Sequence, residues 1–359
     1  MIKTELCDLL GIKYPIIQAG MGPFVTIKLC QAVSTAGALG IISHTALIPG
    51  TDPVEKMRED IRWVNEHTRG NFGVNVRVAK IQTDAPGCID CIIEEMENSP
   101  EVARKLKLVT TSAGNPEMPS GKFISSGVKE KYGLKHFHVV ASAYMAGKAE
   151  SAGCDGVIAM GHEAGGHIAY SDVNTIILLP EIVDTTRLPV VATGGFCDGR
   201  GLAAALLLGA VGVQMGTRFI ATKESEFHPE YKRRILASKD TDSVATAGAF
   251  GPIRLIRNAY SEKDEIRVAK AIVQGTEKGL SVEQSRRTMA DPANLDPESL
   301  KAYVDSEMKG EMELAPVFAG EVVGRIDDIP SVKELLERIM AEAEDAIKSL
   351  PRKVIVRRH

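Results

Sequence analysis

At 359 residues the chain is long for one ordinary domain, but an α/β barrel with insertions reaches this length around a single core. Its composition, 44% hydrophobic and 25% charged, is typical of a globular protein and argues against disorder or a fibrous repeat. The formal net charge is −4 with acids and bases scattered, so no extended basic face is available to bind nucleic acid.

Apolar stretches and cysteines bear on where the protein resides. The start, MIKTELCDLL, lacks the features of a signal peptide, and the longest mainly apolar run, 202–215, is shorter than a membrane span. The six cysteines show no disulfide framework, and the C-x-x-C of Cys88 and Cys91 has no second pair of ligands to complete a zinc site. We therefore expect a cytoplasmic protein with reduced thiols, no membrane association and no metal.

Short β-rich runs alternate with longer helical stretches along most of the chain. Most of these runs are continuously apolar, as expected for parallel strands that are buried on both faces, and most intervals are long enough for a crossover helix. The predicted strands lie at 15–20, 39–43, 72–78, 107–113, 136–141, 155–161, 188–195 and 211–217. Eight such strands predict a (β/α)8 TIM barrel.

The remainder of the chain predicts an insertion and a final helix. Helices are expected to end at Gly37 and Gly209, where glycine suits a left-handed cap. From 219 to 310 the chain becomes more polar, which predicts a mainly helical insertion after strand eight that covers the barrel mouth. The barrel then comprises 1–218 and 311–359, with an amphipathic helix at 331–350 that stops before Pro351.

The segment 192–217 places glycine-rich turns after two consecutive strands. Gly194 and Gly195 follow the seventh strand, and Gly216 and Thr217 follow the eighth. In a barrel these two loops and a helix N-terminus commonly bind phosphate, because free backbone N–H groups converge there. Tight turns alone would explain one such pair. Both pairs at consecutive strand ends favour a phosphate site.

The segment AMGHEAGGHIAY, 159–170, follows the sixth strand and so lies at the same end of the barrel. In it, His167 comes directly after Gly165 and Gly166, which let a planar ring or a substrate approach the backbone. An imidazole there can accept or supply a proton, so His167 is the candidate catalytic residue. A core or capping role is the alternative for a lone histidine. We expect His162, at the strand end, to be structural or to support the residues that contact the ligand.

These segments together carry a resemblance to a known family. The matching pieces are PIIQAGMG (15–22), AVSTAGALGIIS (32–43), FGVNVRV (72–78), GHEAGGH (161–167), the block at 190–220, IRLIRN (253–258) and AGEVVG (319–324). In this combination the chain resembles the nitronate monooxygenase family, once called 2-nitropropane dioxygenases. That family also includes an FMN-dependent enoyl-acyl carrier protein reductase and NADH:quinone reductases.

The resemblance implies a non-covalent FMN in a flavoprotein. Its ring would lie near Ala19, Gly20 and Met21, with the side chain of Asn75 reaching it and Gln214 beside the phosphate turn. The nitronate-oxidising branch commonly has Q-A-P-M and H-R-G, where this chain has Q-A-G-M and His167-Ile168-Ala169. Glu321 stands where the family usually has Gln, which adds a charge that we expect near the mouth of the site.

The motifs and the resemblance predict oxidation of alkyl nitronates or nitroalkanes with O2, in which His167 is the general base. The alternative is a flavin-dependent reduction of enoyl thioesters or quinones with NAD(P)H as co-substrate. A non-catalytic flavin-binding barrel is the third interpretation, and His167 argues against it. A small-molecule substrate is the expected partner, and a homodimer is compatible with the sequence.

Overall fold

The computed structural model describes residues 2–45, 50–248, 251–289 and 304–354. Eight parallel strands form the main sheet, and each overlaps one predicted run. They are β1 Ile16–Gln18, β2 Gly40–Ile42, β3 Phe72–Arg77, β4 Leu106–Ser112, β5 Lys135–Val140, β6 Gly156–Met160, β8 Val190–Thr193 and β9 Gly212–Met215. Their order, β1-β9-β8-β6-β5-β4-β3-β2, and a parallel bridge between Ile17 and Leu39 close the barrel. The predicted (β/α)8 barrel is confirmed.

Strands β1 and β2 have the shortest pairing in the barrel, the single bridge between Ile17 and Leu39. The side chain of Gln18 is fully buried there, and its Oε1 accepts a hydrogen bond of 2.9 Å from the N–H of Ile41. A side-chain amide thus supplements the backbone pairing between these strands. On the inside of the barrel, Ile17, Ile41 and Phe137 pack with the N-terminal helix Glu5–Leu10. This packing fills one end and leaves the carboxyl ends of the strands to form the site.

Helices surround the barrel in the crossover positions. They are Ile27–Ala36, Pro53–His67, Ala85–Asn98, Pro100–Lys105, Glu117–Ser125, Val128–Tyr132, Ala143–Ser151, Thr175–Thr185, Gly199–Leu207 and Thr217–Ile220. The first of these ends at Gly37 with φ 101°, and Gly209 has φ 95°, as the glycine caps predicted. In the described part of the chain, no helix combines the length and the apolar character needed to cross a membrane.

The last helix packs on the outside of the barrel against the helix Gly199–Leu207. An added Cβ at Gly199 would lie 2.3 Å from the carbonyl oxygen of Ile339, so only glycine permits this close approach. The helix spans Val332–Val354 and contains Pro351, and the predicted end before this proline was wrong. A proline removes one N–H donor, and the final turn of a long helix can absorb that loss.

The segment after β9 contains both helices and strands. Its helices are Pro229–Ala237, Ala259–Glu277, Val282–Met289 and residues 304–308, and short 3-10 turns occur at Asp240–Asp242 and Glu321–Arg325. It also contains two antiparallel strands, β10 Ser243–Thr246 and β11 Ile253–Ile256. The sequence reading missed both, because their partner, β7 Gly166–His167, lies about ninety residues earlier and leaves no local periodicity. Positions 249–250 and 290–303 of the predicted insertion lie outside the described residues.

Candidate functional site

A cavity of about 650 Å³ lies at the carboxyl ends of the barrel strands. Every residue that the sequence singled out as a binding or catalytic candidate lines it. These residues are Ala19, Gly20, Met21, Asn75, Gly165, Gly166, His167, Gly194, Gly195, Gln214, Gly216 and Thr217. The fold therefore gathers loops that are up to about two hundred residues apart in sequence around one space, as a parallel barrel does.

Two neighbouring turns form one side of the cavity. The hydroxyl of Thr193 donates a 3.0 Å hydrogen bond to the carbonyl of Gln214, which joins the ends of β8 and β9. Gly194 and Gly195 follow with φ of 92° and 84°, a conformation that other residues rarely adopt. Gly216 caps the short helix Thr217–Ile220. Glycine turns and a helix start at neighbouring strand ends are places where backbone N–H groups can meet a phosphate group, so this side of the cavity suits one.

His167 lies on β7 at the edge of the same cavity. Burial and then the positive charge of Arg77 lower the pKa of His167 to about 4. The ring lies 6.4 Å from the ring of Phe318, centroid to centroid, at an angle of 31°. At neutral pH the imidazole is uncharged, and an uncharged imidazole can accept a proton from a bound molecule.

Asn75 and Gly20 meet at the ends of β3 and β1. The side-chain N–H2 of Asn75 donates to the carbonyl and hydroxyl oxygens of Thr110 at 3.2 and 3.0 Å. These bonds hold the amide in one orientation, in which its Oδ1 acts as the acceptor. An added Cβ at Gly20 would lie 2.4 Å from Cβ of Asn75. A side chain at position 20 would therefore displace Asn75.

The cavity is also lined by residues that are not among the candidates from the sequence. Arg77, Glu163, Tyr170 and Phe318 are among them. Arg77 follows Asn75 by two positions on β3, and side chains two apart share a face of a strand, so this periodicity could have found it. Glu163 belongs to the EAGGH segment itself. No local sequence pattern predicts that Phe318 lines the cavity, because it follows the insertion and reaches the cavity only through the tertiary fold.

His162 and Glu321 lie near the site but outside the cavity lining. The Nδ1 atom of His162 is 3.5 Å from a carboxylate oxygen of Asp172. Glu321 forms a 3.0 Å ion pair with Arg254, which is a strand residue of β11. The charge expected at the mouth thus has a partner within the protein.

A group of three possible metal ligands lies next to the backbone of Arg77. The ligand atoms of His44, Asp84 and Cys88 lie within 4.8 Å of one another. The backbone N–H of Arg77 donates to Nδ1 of His44 at 3.1 Å, so the proton of the neutral ring is on Nε2, which donates to Asp84 at 2.7 Å. A protonated Nε2 has no lone pair for a metal ion. Cys88 and Cys91 both face the protein interior on the helix Ala85–Asn98.

Comparisons with known proteins identify the family of this chain. The nitronate monooxygenase family matches residues 3–342. A (3aS,4S,5R,7aS)-5-hydroxy-7a-methyl-1-oxo-octahydro-1H-indene-4-carboxyl-CoA dehydrogenase from Rhodococcus jostii is 32% identical, covering 97% of this chain and 98% of its own length. A probable nitronate monooxygenase from Staphylococcus saprophyticus is 35% identical over 73% of this chain and 81% of its own.

Solved structures show the same architecture. FabK from Thermotoga maritima superposes with a TM-score of 0.80 and 33% identity over 99% of this chain and 100% of its own. A nitroalkane oxidase from Streptomyces ansochromogenes, at 22% identity and a TM-score of 0.70, shares the fold over 96% of this chain and 99% of its own. These relatives are enzymes, and the chain is an oxidoreductase. With a match that covers nearly its whole length, the chain belongs to the nitronate monooxygenase family.

Proposed function

We propose that this protein is an FMN-dependent oxidoreductase whose substrates are acyl thioesters. The observation that carries the cofactor assignment is the pair of turns, Gly194-Gly195 and Gly216-Thr217, which border the same cavity as His167. FMN supplies the electron transfer when it is bound. Backbone N–H groups of the two turns would bind its phosphate, and Oδ1 of Asn75 would accept an N–H from its ring.

His167 is the residue proposed to handle the proton. With its pKa lowered to about 4, it is neutral at physiological pH and can accept a proton from carbon next to a carbonyl group. The protonated ring could return that proton to the same atom in the reverse direction. Apolar side chains, among them Met21, Ile220 and Phe318, line the remaining wall and would exclude water from the reacting atoms.

The substrate class rests on which relatives are more than 30% identical to this chain along its whole length, a condition that the nitroalkane oxidase, at 22% identity, does not meet. The coenzyme A thioester dehydrogenase and the enoyl reductase FabK both align over nearly all of this chain and of their own length. The probable nitronate monooxygenase covers 73% of this chain. Thioester substrates also suit a cavity with a largely apolar wall, because one wall can bind an acyl group. NAD(P)H is the proposed electron partner for these substrates.

Nitronate oxidation is the second candidate, favoured by the family match and by the neutral His167. In this reaction the histidine would act as general base toward the α-carbon of a nitroalkane, and O2 would be the final electron acceptor. The substrate would be smaller and would leave the apolar wall largely unused.

The test begins with a flavin assay of the purified protein. The released cofactor should be FMN, which chromatography distinguishes from FAD. The holoenzyme is then mixed anaerobically with NADH, NADPH, an alkyl nitronate and an enoyl-coenzyme A in separate experiments. Bleaching of the flavin by a nicotinamide and reoxidation by the enoyl thioester support the thioester proposal. Bleaching by the nitronate alone supports the second candidate, and protein that cannot bind flavin contradicts both.

A histidine variant tests the residue assignment. His167→Ala should lower turnover by about 100-fold, within the range typical of a lost general acid or base. His67→Ala is the matched control, because His67 is an exposed histidine on the helix Pro53–His67. Unchanged turnover in His167→Ala with every accepted substrate would remove this residue from catalysis.

A further inference from the structure

His167 lies in a small sheet that the segment after the barrel completes. Strand β7 pairs antiparallel with β11, with Ile253 opposite His167 and Arg254 opposite Gly166. The N–H of Ile168 continues the pairing by donating to the carbonyl of Pro252 at 2.9 Å. Strand β10 then pairs with β11 on its other side. The backbone that carries the candidate catalytic histidine is therefore held by a hairpin from another part of the chain.

Arg254 reaches from this hairpin across the loop that precedes His167. It is only 4% exposed, and its Nε donates to the carbonyl of His162 at 3.1 Å. Its Nη2 forms the 3.0 Å ion pair with Glu321. The side chain thus fixes the start of the loop at His162, while its own backbone pairs with the end of the loop at Gly166.

The segment that carries Glu321 contacts the same loop and the phosphate turn. The N–H of Glu321 donates to the carbonyl of Glu163 at 3.0 Å, and the N–H of Gly320 donates to the hydroxyl of Thr217 at 3.0 Å. An added Cβ at Gly165 would lie 2.5 Å from the nitrogen of Gly320, so the two backbones touch. The segment 319–321 therefore links the loop before His167 to one of the two turns proposed to bind phosphate.

We propose that Arg254 and Glu321 form a positioning pair that sets the distance and angle between the His167 ring and the bound cofactor. The inference rests on the proposed function for the catalytic role of His167 and for FMN as the bound cofactor. In this proposal the β10–β11 hairpin supports the backbone of His167, and Glu321 keeps Arg254 in place.

Charge is the reason that the pair acts as a unit. Burial lowers the pKa of Arg254, and the nearby carboxylates of Glu321, Glu163 and Asp172 oppose this shift. A buried guanidinium that loses its ion-pair partner is drawn toward the carboxylates and hydrogen-bond acceptors that remain. Arg254 already contacts the loop carbonyl of His162 and the hydroxyl of Ser243, 3.5 Å from Nη1. Loss of Glu321 should therefore move the loop before His167.

The experiment is a double-mutant cycle between Glu321→Gln and His167→Ala in the FMN-loaded enzyme. Because a misplacement of about 1 Å can cost about 100-fold in rate, we expect Glu321→Gln to lower kcat by about 10- to 100-fold. KM and the affinity for FMN should change by less than about twofold, since neither Arg254 nor Glu321 lines the cavity in which substrate and FMN would bind. In the His167→Ala background, Glu321→Gln should have no further effect, because a pair that acts through His167 has nothing left to position.

Asp8→Asn is the control, because it removes an exposed ion pair with Lys3 at the helix Glu5–Leu10, away from the cavity. A second readout needs no turnover: the pKa of His167, followed by NMR of the imidazole, should shift in Glu321→Gln and not in Asp8→Asn. Arg254→Lys should behave as Glu321→Gln does, because lysine keeps the charge but cannot reach both partners.

Two results would overturn the inference. One is an equal loss of kcat from Glu321→Gln in both the wild-type and the His167→Ala backgrounds, and the other is an unchanged His167 titration. These outcomes differ from a failure of the proposed function, in which His167→Ala alone leaves turnover unchanged.

Discussion

The carboxylate of Glu163 accepts hydrogen bonds from the backbone N–H of Thr175, at 2.9 and 3.0 Å, and from its hydroxyl at 3.0 Å. The hydroxyl oxygen of Thr175 also lies 3.0 Å from the carbonyl of Gly194. A negative charge at the start of the helix Thr175–Thr185 satisfies an N–H that has no partner within the helix. The same contacts join the loop before His167 to the turn proposed to bind phosphate.

Thr175→Val tests this connection by removing the hydroxyl while keeping the shape of the side chain. We expect FMN to bind about tenfold more weakly, which corresponds to about 1.4 kcal/mol, because the Gly194-Gly195 turn loses a fixed neighbour. Titration with quenching of flavin fluorescence measures the affinity. Thr175→Ser should retain wild-type binding, and Thr185→Val, an exposed position on the same helix, should have no effect. Equal affinities in all of these proteins would show that the hydroxyl does not support the turn.

The phosphate turn itself makes a separate prediction. Gly195→Ala places a side chain at φ 84°, and we expect the variant to lose most FMN binding, because the N–H groups must rotate to relieve the strain. Gly127→Ala is the matched control: its φ is 74°, nothing lies within 4 Å of an added Cβ, and it lies outside the cavity. Both variants should lower the melting temperature by a similar amount. A comparable loss of FMN from Gly127→Ala would mean that general destabilisation, and not the turn, explains the result.

Gly20→Ala tests the contact with Asn75. The added Cβ would overlap Cβ of Asn75, so the amide must move away from Thr110. We expect weaker FMN binding together with a shifted flavin absorption spectrum, since the hydrogen bond to the ring changes. Gly147→Ala, on the helix Ala143–Ser151 with open space around the new Cβ, should instead leave the spectrum unchanged. A normal spectrum in Gly20→Ala would argue that Asn75 does not contact the ring.

The barrel and the members of the site could be predicted from the sequence because they depend on local patterns. Buried parallel strands appear as continuous apolar runs, and barrel topology places whatever follows each run at the same end. His167 and the glycines at 194, 195 and 216 were therefore found from their position after a strand. Barrel topology alone places the carboxyl ends of these strands, and the residues that follow them, around one space.

Contacts between distant segments could not be predicted in this way. The pairing of Arg254 with Gly166 joins two short segments across the barrel mouth, and neither carries a periodic pattern long enough to reveal a strand. The sequence predicts Glu321 as a charge near the mouth, but its ion pair with Arg254 depends on β11, which lies in the insertion predicted to be mainly helical. Arg77 differs, because it lies two residues after Asn75 and the alternation of β3 places both on one face.

A buried carboxyl group in the segment after the barrel gives a prediction about pH. Burial raises the pKa of Glu307 to about 8, the charge of Glu226 adds to this effect, and the N–H of Val25, donating at 3.0 Å, opposes it. The folded protein therefore holds this proton more tightly than the unfolded chain, whose glutamate titrates near its usual value. The resulting stabilisation is complete below about pH 4.5 and is lost as the pH rises to about 8.

Glu307→Gln removes this titration and keeps an oxygen that can accept from Val25. We expect similar melting temperatures for the variant and the wild type near pH 5, and a higher value for the variant near pH 9, where the wild type must bury a charge beside Glu226. Thermal unfolding of the two proteins across this range measures the difference. Exposed Glu277→Gln should show no such trend. A variant that is destabilised at every pH, including pH 5, would contradict this prediction. It would indicate that Glu307 of the wild type is already ionised at pH 5 and that its charge stabilises the contact with Val25, which follows Phe24 on the cavity wall.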